Sequence, residues 1–245
     1  MTTRAALVLT AHGSADPRSA ANARAVVVQL ARMRPGLDVR LAFCELNAPS
    51  LADVLNSLSG AREAVVTPLL LANAYHARVD IPGQIARCGG QEHVRLAKVL
   101  GEDDRLVSVL RQRVTELGLS PLDDTLGVLV VAVGSSDPAA NARTAAVAPK
   151  LAAGTRWAAV TTAFASRPEP SLAEAVDRLR VQGARRVVIA PWFLAPGRLP
   201  DRVQRFADDA GVEMAAPLGA HRLVAETVLD RFQQAVKARG DRVAA

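Results

Sequence analysis

The chain has 245 residues, half of them apolar, and a formal net charge of +6 at pH 7, enough for one large core or two cores of roughly 100 to 150 residues each. No apolar run approaches the roughly 20 residues that span a bilayer, the basic residues are scattered among acids, and aromatic residues make up only 3%. This composition argues against membrane and nucleic-acid partners, and a cytoplasmic protein is expected.

In chain order, short β-rich runs alternate with longer stretches of helical period, which is the pattern of βαβ units around a parallel sheet. Strands are expected at residues 6–11, 39–43, 64–68 and 94–98, with helices at 20–33, 50–58, 79–86 and 103–117. The order then begins again, with strands at 128–133, 158–164, 187–191 and 212–215, each followed by a helix. Residues 119–124, with Pro121 and two aspartates, read as a linker between lobes at 1–120 and 125–245. The fold class is α/β, two homologous lobes, each a parallel sheet flanked by helices.

The second pass repeats residues and not only pattern. His12-Gly13-Ser14-Ala15-Asp16-Pro17 matches Val133-Gly134-Ser135-Ser136-Asp137-Pro138, and Pro49-Ser50-Leu51-Ala52-Asp53 matches Pro170-Ser171-Leu172-Ala173-Glu174. Pro68-Leu69-Leu70-Leu71-Ala72 likewise matches Pro191-Trp192-Phe193-Leu194-Ala195. Self-similarity of this kind marks an internal duplication. Ser50 and Ser171 each stand three residues before an acid, the spacing of a capping box.

Laying one half on the other separates scaffold from chemistry. His12 faces Val133, Glu45 faces Ser166, and His76 faces Leu199. All three polar groups are therefore peculiar to the first lobe, which is expected to be catalytic while the second is degenerate. His12 follows the first strand, Glu45 the second, and His76 lies in the expected loop after the third, so all three leave the carboxyl edge where open α/β sheets bind ligands. Two imidazoles and a carboxylate suit a divalent ion such as Fe²⁺, Co²⁺ or Ni²⁺ and leave positions open for substrate. Imidazole also accepts protons near neutrality. Val133 and Leu199 are expected to serve packing instead.

Set beside these are plainer readings. Glu45 taken alone can cap the next helix, His93 precedes its strand at the opposite sheet edge, and His221 starts the last helix of the degenerate lobe. Cys44 and Cys88 form no CxxC pair, and the first reads as a small residue at a strand end. A phosphohistidine-type phosphatase also places His-Gly after its first strand but wants an arginine before it, where Ala11 stands.

The combination of His-Gly-Ser at His12, Glu45 ahead of Pro49, and Tyr75-His76-Ala77-Arg78-Val79-Asp80-Ile81-Pro82 resembles the sirohydrochlorin chelatases in their long, two-lobed form. The resemblance implies insertion of iron or cobalt into the tetrapyrrole on the routes to siroheme and cobalamin, with no cofactor beyond the substrate metal. It implies that His12 and His76 bind the metal and take up pyrrole protons, with Glu45 as ligand or base; Ser14 in the His12 loop and Tyr75 and Arg78 beside His76 are, by position and chemistry, the candidates for contacting the tetrapyrrole. Ala74 departs from the glycine common in that family, and the His- or Cys-rich tail of some cobalt-inserting members has no match in Gly240-Asp241-Arg242-Val243-Ala244-Ala245, which favours iron. A non-enzymatic carrier of metal or tetrapyrrole is the competing expectation. Two fused lobes make a monomer sufficient and do not forbid a dimer.

Overall fold

The computed structural model describes all residues except 1–4, 59–62, 74, 89–90, 167–169 and 244–245, and it leaves the side chains of 76, 91 and 239–243 undescribed. It contains two four-stranded, all-parallel sheets. The first holds β1 (Ala6–Ala11), β2 (Val39–Phe43), β3 (Ala64–Pro68) and β4 (Val94–Leu96), interleaved with helices α1 (Pro17–Met33), α2 (Leu51–Ser57) and α3 (Ile81–Arg87). After α4 (Asp104–Thr115) the second holds β5 (Leu126–Ala132), β6 (Ala159–Phe164), β7 (Arg186–Pro191) and β8 (Glu213–Met214). Its helices are α5 (Pro138–Ala145), α6 (Val147–Ala152), α7 (Leu172–Val181) and α8 (Arg198–Asp209), and α9 (Arg222–Val243) closes the chain.

The central strands are continuous apolar runs because helices cover both faces of a parallel sheet. Every residue of β1, β3 and β5 is buried, whereas at the edges β2 buries only Ala42 and Phe43 and β4 buries none of its residues. Helix starts follow local chemistry. Asp16 and Asp137 accept hydrogen bonds from the backbone N–H groups of Arg18 and Ala139, each ahead of a proline in the first turn. Both expected capping boxes form, Ser50 with Asp53 and Ser171 with Glu174.

Strand order is β2-β1-β3-β4 in the first sheet and β6-β5-β7-β8 in the second. The chain lays β2 on one side of β1 and β3 on the other, so the winding reverses between β1 and β3. Open α/β sheets bind ligands at the carboxyl ends of the strands that flank such a reversal.

The compact units differ from the expected lobes at 1–120 and 125–245. One unit comprises residues 1–101 with 220–245, and the other residues 102–219. Helix α4, expected to close the first lobe, packs on α6 and β7 of the second unit, and α9 packs on α1 and β3 of the first. The expected linker is thus part of the second unit, where Trp157 Nε1–H donates to Ser120 O at 2.9 Å. Such an exchange leaves the repeat in the sequence intact, because an amphipathic helix carries its apolar stripe wherever the chain takes it. Among the described residues no helix is long and apolar enough to cross a membrane.

Candidate active site

The end of β1 and the end of β2 are joined just beyond the sheet ladder. Cys44 N–H donates to Ala11 O at 2.9 Å and Glu45 N–H to His12 O at 3.0 Å, which places the His12 and Glu45 side chains next to each other. Gly13 lets the two loops close. Its φ is +99°, and a Cβ there would stand 1.8 Å from the Glu45 carbonyl oxygen, so only glycine fits.

His12 Nδ1 lies 3.4 Å from Glu45 Oε1 and 3.0 Å from the Gly13 carbonyl oxygen. Two oxygen acceptors against one ring nitrogen favour the tautomer that carries its proton on Nδ1. The His12 side chain is 33% exposed and that of Glu45 54%, so solvent and ligand both reach the pair.

His76 is placed differently from the expected loop. It opens a π-helical turn, His76–Asp80, that runs directly into α3. Its side chain lies outside the described residues. Its backbone nonetheless follows β3 as His12 follows β1, one on each side of the reversal in strand order. Among the described residues no group of three or more His, Cys, Asp or Glu stands close enough to hold a metal ion; the described pair is His12 with Glu45. Tyr75, 62% exposed, and the exposed Arg78 flank His76.

Ser14 is more occupied than its sequence position indicates. Its N–H donates to Asn47 Oδ1 at 2.7 Å and its hydroxyl accepts the Asp16 N–H at 3.0 Å. Ser135 repeats the second bond, accepting from Asp137 N–H at 3.1 Å, which makes this hydroxyl part of the duplicated loop scaffold. Cys44 sits beside the pair, but burial pushes its thiol up to about 11, with the negative charges of Asp80 and Glu45 adding to the shift. In the metal-free protein it is a protonated thiol at neutral pH.

Two residues that sequence reasoning missed stabilise this edge. Asn47 accepts from Ser14, as above, and Gln84 of α3 donates from Nε2 to Cys44 O at 3.0 Å, tying the helix after the His76 turn to the end of β2. The comparison of halves that singled out the histidines also bears on both, since Asn47 faces Pro168 and Gln84 faces Ala207.

The second unit keeps the architecture without the chemistry. Ser166 N–H donates to Val133 O at 2.9 Å, as Glu45 does to His12, and Gly134 has φ +90°. Ser166 Oγ–H turns back to the Val133 carbonyl oxygen at 2.6 Å. The expectation that both replaced positions serve packing holds for one. Leu199 packs against the core of its unit, whereas Val133 is 49% exposed, because the edge that carries His12 in the first unit faces solvent in the second as well. His93 lies in a 3₁₀ turn before β4, away from this edge. His221 belongs to the first unit, contrary to its expected place in the second, and its Nδ1 accepts the Leu223 N–H at 3.1 Å ahead of α9.

The CbiX family model matches residues 6–117 and again residues 127–235, one match for each half of the repeat. The chain belongs to the CbiX family. Its curated relatives include a sirohydrochlorin ferrochelatase of Priestia megaterium, 26% identical over 96% of this chain and 92% of the relative. A sirohydrochlorin cobaltochelatase of the same organism is 27% identical over 92% of this chain and 78% of the relative. Among solved structures, SirB from Bacillus subtilis with Fe³⁺ superposes with a TM-score of 0.82 at 22% identity, covering 97% of this chain and 98% of SirB. The sirohydrochlorin chelatase SirB from Bacillus subtilis subspecies spizizenii in complex with cobalt gives 0.77 at 22% identity and the same coverage. These superpositions establish that the chain shares the fold of those chelatases across both halves.

Proposed function

We propose that this CbiX protein is a sirohydrochlorin chelatase, a lyase that inserts Fe²⁺ by preference and Co²⁺ next into the tetrapyrrole, with the metal as substrate. The observation that carries the reading is the His12–Glu45 pair, present in one unit and replaced in the other by an exposed valine and a serine turned onto the backbone. Membership of a family whose relatives bear ferrochelatase and cobaltochelatase names supports the substrate class.

Insertion removes two pyrrole N–H protons and places a dication on the vacated nitrogens, so the site must accept protons while presenting the metal. The His12 imidazole is suited to both tasks, as proton acceptor and as metal ligand. When it takes a proton, both ring nitrogens become donors, and the Glu45 carboxylate beside Nδ1 stabilises the imidazolium. Glu45 can equally turn its exposed carboxylate to the ion. His76 is the second imidazole in this reading, carried by the turn that leads into α3, and Arg78 is a guanidinium suited to the carboxylate rim of the tetrapyrrole. Tyr75 offers an exposed ring to its face.

The test is anaerobic insertion of Fe²⁺, Co²⁺ and Ni²⁺ into sirohydrochlorin, followed by absorbance against an enzyme-free control. Insertion is expected to accelerate with Fe²⁺ and Co²⁺, and to fall to the control rate in His12→Ala and His76→Ala while both variants keep the wild-type circular dichroism. Sirohydrochlorin binding without acceleration by any metal would return the protein to the carrier reading.

A further inference from the structure

In the second unit, the residue at the Glu45 position holds the two loops together itself: Ser166 Oγ–H donates to Val133 O at 2.6 Å. In the first unit the Glu45 side chain is turned to His12 Nδ1 and, among the described residues, makes no such tie to the backbone of the His12 loop. The tie is made two residues further on. Asn47 Oδ1 accepts the Ser14 N–H at 2.7 Å, across 33 residues of chain. The corresponding Ser135 N–H in the second unit is accepted by Asn141 of α5 at 2.8 Å, and Asn141 Nδ2 returns a bond to Ser135 O at 2.9 Å. There the loop closes on its own helix; in the first unit it closes on the loop that bears the carboxylate.

The local backbone is bent to make this possible. Asn47 N–H donates to Glu45 O at 2.7 Å, with Leu46 between them at φ +61° and 70% exposed. This is a γ-turn with its central residue in the left-handed region, a conformation that a leucine keeps only where its surroundings enforce it. The same Glu45 carbonyl oxygen is the atom against which Gly13 packs. His12 is thus bracketed on both sides, by the Glu45 N–H on its own carbonyl and by the Asn47 side chain on the amide two residues on.

We infer that Asn47 is a positioning residue of the His12–Glu45 pair: it locks the two loops in register so that the Glu45 side chain is free for chemistry. The inference rests on the proposed chelatase reading for its kinetic readout. Loops at a sheet edge are its mobile part, and residues that orient ligands and bases typically cost 10- to 100-fold in metal affinity or activity when removed.

Asn47→Ala, Asn47→Asp and Asn141→Ala are compared in the full-length protein for steady-state insertion, for Co²⁺ binding without tetrapyrrole, and for thermal unfolding. Asn47→Ala is expected to lower kcat about tenfold or more and to weaken Co²⁺ binding about tenfold. KM for the tetrapyrrole should stay within about twofold, because the macrocycle contacts of the proposal are elsewhere. Asn47→Asp, which keeps an oxygen acceptor, should recover kcat to within about fivefold of wild type. Asn141→Ala, the same loss in the second unit, should leave kcat and Co²⁺ binding unchanged. Should the alanine variant not fold, Asn47→Leu against Asn47→Asp makes the comparison at matched volume. Wild-type kcat and Co²⁺ affinity without the acceptor, or equal slowing by the Asn47 and Asn141 variants, would overturn the inference. An inactive wild type would remove the chelatase reading instead, and the Co²⁺ titrations would still decide whether the clamp orders the pair.

Discussion

Around His12 the decisive feature is that Nδ1 faces two oxygens, Gly13 O and Glu45 Oε1. The histidine and the glutamate were both legible in the sequence, because each stands opposite an apolar or small residue in the repeat. That they touch was not legible, since it follows from parallel pairing of β1 with β2 and from the room left by Gly13. Asn47 escaped notice for the same reason: an asparagine before a proline-containing turn reads as turn chemistry until its partner at Ser14 is seen. The two replaced positions in the second unit separate experimentally. Val133→Ala should change stability by no more than about 0.5 kcal/mol, since the side chain is half exposed. Leu199→Ala should cost about 1–2 kcal/mol or more, since it packs on the core around Val203 and Phe193. Chemical denaturation of both variants checks the pair, and equal costs would contradict the placement of Val133.

At the scale of elements, the expected strands coincide with the observed ones in the first sheet except at β4, which stops at Leu96 instead of Lys98. Parallel strands buried on both faces are long apolar runs, and such runs are conspicuous. The His76 turn was misread because a π-helical turn has neither the period of a strand nor that of an α-helix. The two capping boxes were readable from Ser and an acid at fixed spacing, and they set a pH dependence. Hydrogen bonds from Ser50 hold the Asp53 carboxyl below its ordinary 3.8, and those from Ser171 hold Glu174 below its ordinary 4.5. Groups with depressed folded values stabilise the protein fully above the unfolded value, and this is lost as the pH falls through the lower folded one. Replacing Asp53 by Asn and Glu174 by Gln should therefore lower Tm at neutral pH. The gap to wild type should persist down to about pH 5 and close only well below pH 4, as melting curves across that range would record.

For the whole molecule, the exchange of terminal helices means that the first unit is completed only by the last residues of the chain. Within it, Arg231 donates to Val99 O and Leu100 O, and Arg95 donates to Ala235 O and Val236 O. Phe232 is 2% exposed. Phe232→Ala should cost about 3–5 kcal/mol and, because α9 packs on β3, should reduce metal insertion at assay temperatures where the first unit begins to melt. Denaturant unfolding followed together with activity would detect it, and an unchanged midpoint would contradict the packing of α9.

The amino-acid sequence by itself determined the class of fold, the duplication, and which half carries polar groups at the sheet edge. These are local or comparative properties, written in hydrophobic period, capping spacing and the mismatch of one half against the other. Which elements complete each unit, which oxygens face His12 Nδ1, and how Asn47 joins two loops were decided by the tertiary structure. Helix exchange leaves every local pattern unchanged, and a hydrogen bond between residues 33 apart has no signature until strand pairing brings its two ends together.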